Sequence, residues 1–541
     1  MAIINQKNII TSGFDEDALT TATSGEHVRN FGRLTTTGDL ANGIVADAND
    51  VSIRNFGRIE TSGLGAAGIF AEGEHAHIEN FGSVVTRGGV FDPDPSVAGD
   101  EFFSEGILAN GEDFYIANYG SVHVEGESST GLLGVGADGV IINTGRVESL
   151  SEASVVVAVF GDRSQAINAG QVTTGGDDTA ALFVRGEDAT ALNLGRILVT
   201  GTDSAGMQGV TANTHVANRG VIRVTADDSI GMAGFGDGHQ LGNFGMIETH
   251  GTFAVGMAAR GGGPEGRPGL DHEIVNAGRI ATEGDLAIGV ALGVTNIGFG
   301  PAVDGEIVNR GVIETEGDGA AGVAMIGDGH HLINSGGITT DGGAFDSEII
   351  GLFRAAGVVV SGDDALVENT RSGVIKSEDA DSAAVELNVV ERDGLPVADM
   401  SSRLDNFGFI KGAGVAVLGG AGEEAVINHG RIVGDVALSD GADTFVFGKG
   451  GTVAGDIFLG GGDDLARIEN GSGTSHIADF AAGAASGDAI DLSAFFSSFG
   501  GVMAHSRQRG NDVVITLDHN DQLVLENVHL NTLNAHDFLF V

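Results

Sequence analysis

Two groups of residues in this chain have the types and spacing to do chemistry. The first is Asp237, His239, Arg260, Arg267, Asp271 and His272. Carboxylates and imidazoles that exchange protons near neutrality, with arginine beside them, are what general acid–base catalysis requires. However, the turn GDGH at 236–239 recurs at 327–330 away from that setting, which favours turn chemistry over catalysis. The second group is Asp440, Asp443, Asp463 and Asp464, each in a glycine-rich turn. Hard carboxylate and carbonyl oxygens suit calcium, which takes roughly six to eight oxygen ligands in irregular geometry.

Other residues recur in columns. His27, His75, His77, His215, His239, His272, His330 and His331 lie three to five residues before a repeated asparagine. They are expected along one polar, solvated edge, where stacked imidazoles would otherwise bind a metal or sense pH. Phe31, Phe56, Phe81 and Tyr119 directly follow that asparagine, as do Phe244 and Phe407. Stacked rings filling a corner are expected, with a sugar-stacking platform as the alternative. Acidic turns such as GEDF, GDRS and GEDA mark one edge, and TGGDD, TGTDS and TADDS another. Such stripes favour solubility or loose calcium binding.

What positions these columns is a repeat. An Asn-x-Gly unit recurs at Asn30, Asn55, Asn80, Asn118, Asn143, Asn168, Asn193, Asn218 and Asn243, then at Asn276, Asn309, Asn334, Asn406 and Asn428, and at Asn369 with the glycine displaced to Gly373. Asn5 extends the frame backwards, and most steps are 25 residues. Four residues after the asparagine sits an aliphatic residue (Leu34, Ile59, Val84, Val122), and two before it another (Val28, Ile53, Ile78, Ile116). Each unit reads as three short strands, for example FGRIETSG, AAGIFAEG and HAHIEN, with period-2 alternation.

Three strands closed by tight turns make one coil, and stacking supplies the core that one coil lacks. Parallel crossovers are right-handed almost without exception. The expected fold is an all-β, right-handed parallel β-helix of about 16–18 coils, roughly 85 Å long at one strand spacing per coil. Asparagine and glycine tolerate the sharp corner, and stacked asparagines can hydrogen-bond along the stack. Insertions near 90–104, 260–268, 294–305, 342–354 and 391–404 mark the outside. The expected divisions are a β-helix over 1–433, calcium-binding coils over 434–470 and a small β-rich C-terminal domain over 471–541.

Composition agrees. Of 541 residues 91 are glycine, 6 proline and none cysteine or tryptophan, so the core must be aliphatic and free of disulfides. With 75 acidic and 27 basic residues the net charge is −48, which excludes a nucleic-acid footprint. No apolar run reaches the roughly 18 residues of a membrane span, and MAIINQKNII does not read as a cleavable signal peptide.

The asparagine ladder resembles that of pectate-lyase-like and autotransporter-passenger β-helices. Lyases and epimerases on that fold use acidic, histidine and basic residues as acid–base pairs, which is what the resemblance implies for Asp237, His239, Arg260, Asp271 and His272. GDVALSDGADTFVF (434–447) and GDIFLGGGDDLARI (455–468) resemble the calcium-binding nonapeptide repeats of RTX proteins. GGGDD (460–464) is close to that motif, whereas SDGAD (439–443) lacks one glycine. The stretch from GDAIDLSAFF to DFLFV is similar to the C-terminal domain of type I secretion substrates. These resemblances imply calcium as cofactor and export through an uncleaved C-terminal signal.

The expected function is an extracellular structural or adhesive protein, a surface-layer, matrix or filament component. It is expected to associate with itself through coil ends, to contact cell-surface polysaccharide, and to have no catalytic residues. A secreted polysaccharide lyase or epimerase is the first alternative, and a sugar-binding adhesin the second.

Overall fold

A computed structural model describes residues 2–93, 101–261, 269–295, 298–299, 302–347, 351–388, 400–483 and 487–540. The chain is a right-handed parallel β-helix built almost wholly of short strands. Its contacts divide it into two units, Met1–His272 with Thr295–Gly300, and Glu273–Val294 with Pro301–Val541.

In the first unit the third strands pair in parallel from Ala2–Asn5 through His27–Asn30, Ser52–Asn55 and His77–Asn80 to Gln240–Asn243. Each residue faces its equivalent one coil on, so Val28 meets Ile53 and Asn30 meets Asn55. First strands such as Arg58–Thr61 and second strands such as Ile69–Glu72 stack in the same way. Ile53, Ile59, Ile69 and Ile78 are fully buried, and each such side chain stabilises the fold by about 1.5–3 kcal/mol.

In the second unit the third strands run from Glu273–Asn276 to Glu423–Asn428. Beyond Asn428 the ladder position passes to Phe447 and then Ile468. The coils shorten there, and first and second strands fuse into Phe409–Gly419 and Arg431–Ala437. The sequence-based boundary at 470 falls inside this stack, because Ala489–Asp491 and Phe538–Leu539 add two further rungs to it. The rest of that segment folds as a four-stranded sheet with the short helix Phe499–His505.

The asparagines form a one-way ladder. Each Nδ2–H donates to the Oδ1 of the next coil, at 2.9 Å from Asn30 to Asn55 and 2.8 Å from Asn55 to Asn80. The pattern holds to Asn243 in the first unit and from Asn276 to Asn428 in the second. It stops at Asn428, whose Nδ2 donates to the Thr452 carbonyl. Within the insertions, Phe91 and Phe102 form an antiparallel bridge, and Phe345–Ser347 pairs with Gly351–Phe353. Most of the insertions near 260–268 and 391–404, including Arg267, lie outside the described residues.

Candidate functional site

Strand alternation sends the ladder asparagine inward, together with the residues two and four before it. The position four before is an interior corner column. In the first unit it runs from Val51 through Ala76, Phe114, Gly139, Ser164, Ala189 and Thr214 to His239 and His272. His239 and His272 are fully buried, as is His330 at the same position in the second unit. This corrects the expectation that all eight histidines line a solvated edge. Those three before the asparagine (His27, His77, His215, His331) do point away from the core, which separates them from the corner set.

Several polar corner residues share one task. A backbone N–H at this tight turn lacks a sheet partner, and the side chain of the next coil accepts it. Gly139 N–H donates to Ser164 Oγ at 3.0 Å, Gly305 N–H to His330 Nδ1 at 3.1 Å, and His239 N–H to His272 Nδ1 at 3.4 Å. An accepting Nδ1 is unprotonated, so these rings are neutral with the proton on Nε2. Burial also lowers the pKa of His239 and His330. His239 and His272 stack at 5.5 Å between centroids. Thr214 Oγ1 lies 2.6 Å from His239 Nδ1.

The other members of the acid–base set lie elsewhere. Asp237 is exposed, and its Oδ1 accepts the Leu270 N–H. Asp271 is exposed in a left-handed turn with φ of 54°, a conformation Asp tolerates. Arg260 lies half-buried over the Phe235 ring, and desolvation lowers its pKa. The imidazoles therefore face the core while both carboxylates face solvent, and the described groups do not converge on a cleft.

In the second unit the corner column turns acidic: Glu424, Asp443, Asp464 and Asp488, all buried. Glu424 N–H donates to Asp443 Oδ1 at 2.8 Å, and Asp443 N–H to Asp464 Oδ1 at 2.9 Å. Asp443 and Asp464 thus do for these coils what His330 does for its own. Their Oδ2 atoms are buried without a partner. Desolvation, with neighbouring carboxylates adding to it, pushes Asp443 up to about 8 and Asp464 to about 6. Desolvation also raises Glu424 to about 7. Asp440 and Asp463 are exposed on the same turns. The donors that could hold a cation are the two Oδ2 atoms with turn carbonyls. No cluster of three or more His, Asp or Glu side chains with metal-holding geometry occurs among the described residues.

The acidic edges also serve backbone. Asp162 Oδ1 accepts the Glu187 N–H at 2.9 Å, Asp177 that of Thr202 at 2.8 Å and Asp227 that of Thr252 at 2.8 Å. Asp318 and Asp328 do the same in the second unit. The charge stripe is thus a row of coil-to-coil caps.

The outward face of the third-strand sheet in the first unit is different. Phe31, Phe56, Phe81 and Tyr119 are 50%, 43%, 43% and 44% exposed. Their rings stack at 4.9, 4.9 and 4.7 Å, within 8° of parallel. The faces between neighbouring rings are taken up by the stack itself, so edges meet solvent along it. This corrects the corner-filling expectation, and it leaves a sugar-stacking platform only the outer faces of the two end rings, Phe31 and Tyr119. Beside the rings, Arg29 lies in register with Arg54 and His27 with Ser52. A small cavity of about 90 Å³ lies among His27, Arg29, Ser52 and Arg54. In the second unit a groove of about 580 Å³ is lined by Asp364, Ser401, Arg403, Asp405 and Glu423. Its arginine is held bidentately by Asp405 at 2.8 and 2.9 Å.

Sequence reasoning passed over Glu424, Asp488 and the Arg29/Arg54 pair. Counting alternate residues back from each ladder position would have found the first two.

A family model described as the BigA third pectate lyase-like domain matches residues 1–159, under a third of the chain. The match covers the coils that carry the exposed ring stack. No curated protein matches the chain.

Proposed function

We propose that this chain is an extracellular adhesive β-helix protein, a surface or matrix component that holds one sheet face against a carbohydrate-bearing surface. The observation that carries the reading is the exposed ring stack from Phe31 to Tyr119 on an otherwise acidic molecule. Large apolar patches rimmed by polar residues mark interaction surfaces. The likeness of residues 1–159 to a pectate lyase-like domain named for BigA supports a surface setting and a carbohydrate partner. Catalysis is not part of the proposal, because the described acid–base candidates are divided between core and solvent.

The test is retention of the full chain on polysaccharide-coated surfaces, with assay of the same polymers for unsaturated products. Retention without product is expected. Turnover abolished by His239→Ala or His272→Ala would replace this reading with the lyase alternative.

Self-association through coil ends, calcium stabilisation and type I export through residues 471–541 belong to the same proposal. Calcium is supported by the unpartnered Oδ2 atoms of Asp443 and Asp464 in glycine-rich turns. A buried carboxylate must be neutralised by a proton or a cation, and a cation that binds only the folded form stabilises it by mass action. Limited proteolysis of residues 434–541 at pH 8.5 should show protection in calcium and loss in EGTA. Equal protection in both would remove calcium from the proposal.

A further inference from the structure

We infer that the outward sheet face around Arg29 and Arg54 is a binding site for an acidic sugar, a pyranose unit bearing a carboxylate or sulfate. The inference rests on the adhesive reading and gives it a location and a ligand class.

The chain has few cations, yet it places Arg29 and Arg54 on adjacent rungs of one sheet face. Stacked guanidinium groups repel each other, so such a pair is expected to be neutralised. Arg33 and Arg58, also in register, share Glu60 between them. Arg54 meets Glu79 at 2.5 Å. Arg29 has no ion-pair partner among the described residues. One guanidinium therefore stands exposed and uncompensated, one rung from another that is only partly satisfied, with a small cavity between them.

The ring stack points to the same ligand. An aromatic ring is negative on its face and positive at its edge. Phe31 and Phe56 follow Arg29 and Arg54 by two residues, so strand alternation puts rings and guanidinium groups on one face. That face offers anions a row of positive edges, the unpaired fork of Arg29 and, one rung on, Arg54, whose Nε is shared with Glu79; an arginine fork is the geometry that binds planar oxyanions bidentately. His27 and Ser52 add polar groups for sugar hydroxyls at the cavity wall. A neutral sugar would use none of the charge and would find ring faces only at the two ends of the stack. A long polyanion would be repelled by the net charge of −48, whereas a single acidic unit meets only the local field within about 8 Å at physiological salt. The surface therefore suits an isolated acidic residue on a glycan.

Titration of the full chain would use a galacturonate trisaccharide, a sulfated disaccharide, a neutral galactose trisaccharide and triglutamate. It would compare wild type, Arg29→Gln/Arg54→Gln and Arg279→Gln, whose arginine is paired with Glu314 far along the sequence. Wild type should bind one or both acidic sugars and neither the neutral sugar nor triglutamate. The double variant should lose about tenfold or more in affinity, and Arg279→Gln should match wild type. Circular dichroism would confirm that the exposed substitutions leave the fold intact. Undiminished binding by the double variant, or preference for the neutral sugar, would overturn the site while retention on polysaccharide surfaces would keep the adhesive reading. Equal binding of triglutamate would overturn the carbohydrate assignment. Absence of both sugar binding and surface retention would overturn the two readings together.

Discussion

In the coils from Val51 to His272 the corner position holds apolar or neutral side chains, with Ser164, Thr214, His239 and His272 as the polar members. In the coils from Glu424 to Asp488 the same position holds four carboxyl groups in succession. The backbone poses one demand in both regions, an N–H at the corner that needs an acceptor. A hydroxyl, an imidazole nitrogen or a carboxylate oxygen meets it equally well in geometry, as the bonds to Ser164, His330 and Asp443 demonstrate. The three differ in how they titrate. Neutral corners tie stability to packing, whereas carboxylate corners tie it to protons or cations. The two regions therefore share a fold and differ in what the solvent can do to them.

The largest effect expected from breaking the comparison is on packing. Phe114 is fully buried and fits because Gly139 and Gly134 have no Cβ, which would lie 2.0 and 2.2 Å from its ring. Phe114→Ala should cost about 3–5 kcal/mol. In a solenoid that loss stays with neighbouring coils, so hydrogen exchange should accelerate around residues 107–143 and remain unchanged around 424–491. Uniform acceleration throughout would show that the coils unfold as one.

Asn193→Ala should cost less, about 1–3 kcal/mol, by removing the Oδ1 that accepts from Asn168 Nδ2 and the Gly195 N–H and the Nδ2 that donates to Asn218. Denaturation should begin nearer the middle of the first unit, which proteolytic mapping would locate.

The pH response sharpens the contrast. Asp443 titrates near 8 in the fold, above its unfolded value, so its contribution is full below about pH 4 and is lost as pH rises toward 8. His239 and His330 have pKa values lowered by burial, so their contribution is present above about pH 6.5 and is lost on acidification. In EGTA, the Glu424 and Asp443 amides should be better protected at pH 5 than at pH 8.5, after correction for intrinsic exchange, and the His239 amide the reverse. Asp443→Asn keeps an oxygen for the Glu424 N–H and removes the charge, so it should flatten the alkaline loss. The same sign in both regions would contradict the assignment.

The smallest effect is expected at the surface. Arg163 holds Asp138 at 2.6 and 2.8 Å in the open, and exposed pairs of this kind contribute little. Arg163→Ala should leave the melting profile unchanged at 0.15 M salt.

The repeat spacing, the aliphatic flanks and the alternation of HAHIEN determined the parallel β-helix from sequence alone, because a fixed period of buried positions has few other ways to close a core. The stacking of the asparagines follows from the same period, whereas the direction of their hydrogen bonds is seen only in the fold. The role of residues between the ladder positions was settled in three dimensions. His239 and His27 stand one residue apart relative to their asparagines, yet one is buried in the core and the other is a surface group, because alternation reverses at every step. Asp443 and Asp440 share a glycine-rich turn, and only the backbone path sends the first inward and the second to solvent. Sequence lists acids, imidazoles and rings by type, whereas burial and the nearest unpaired N–H decide which of them remain free to meet a ligand.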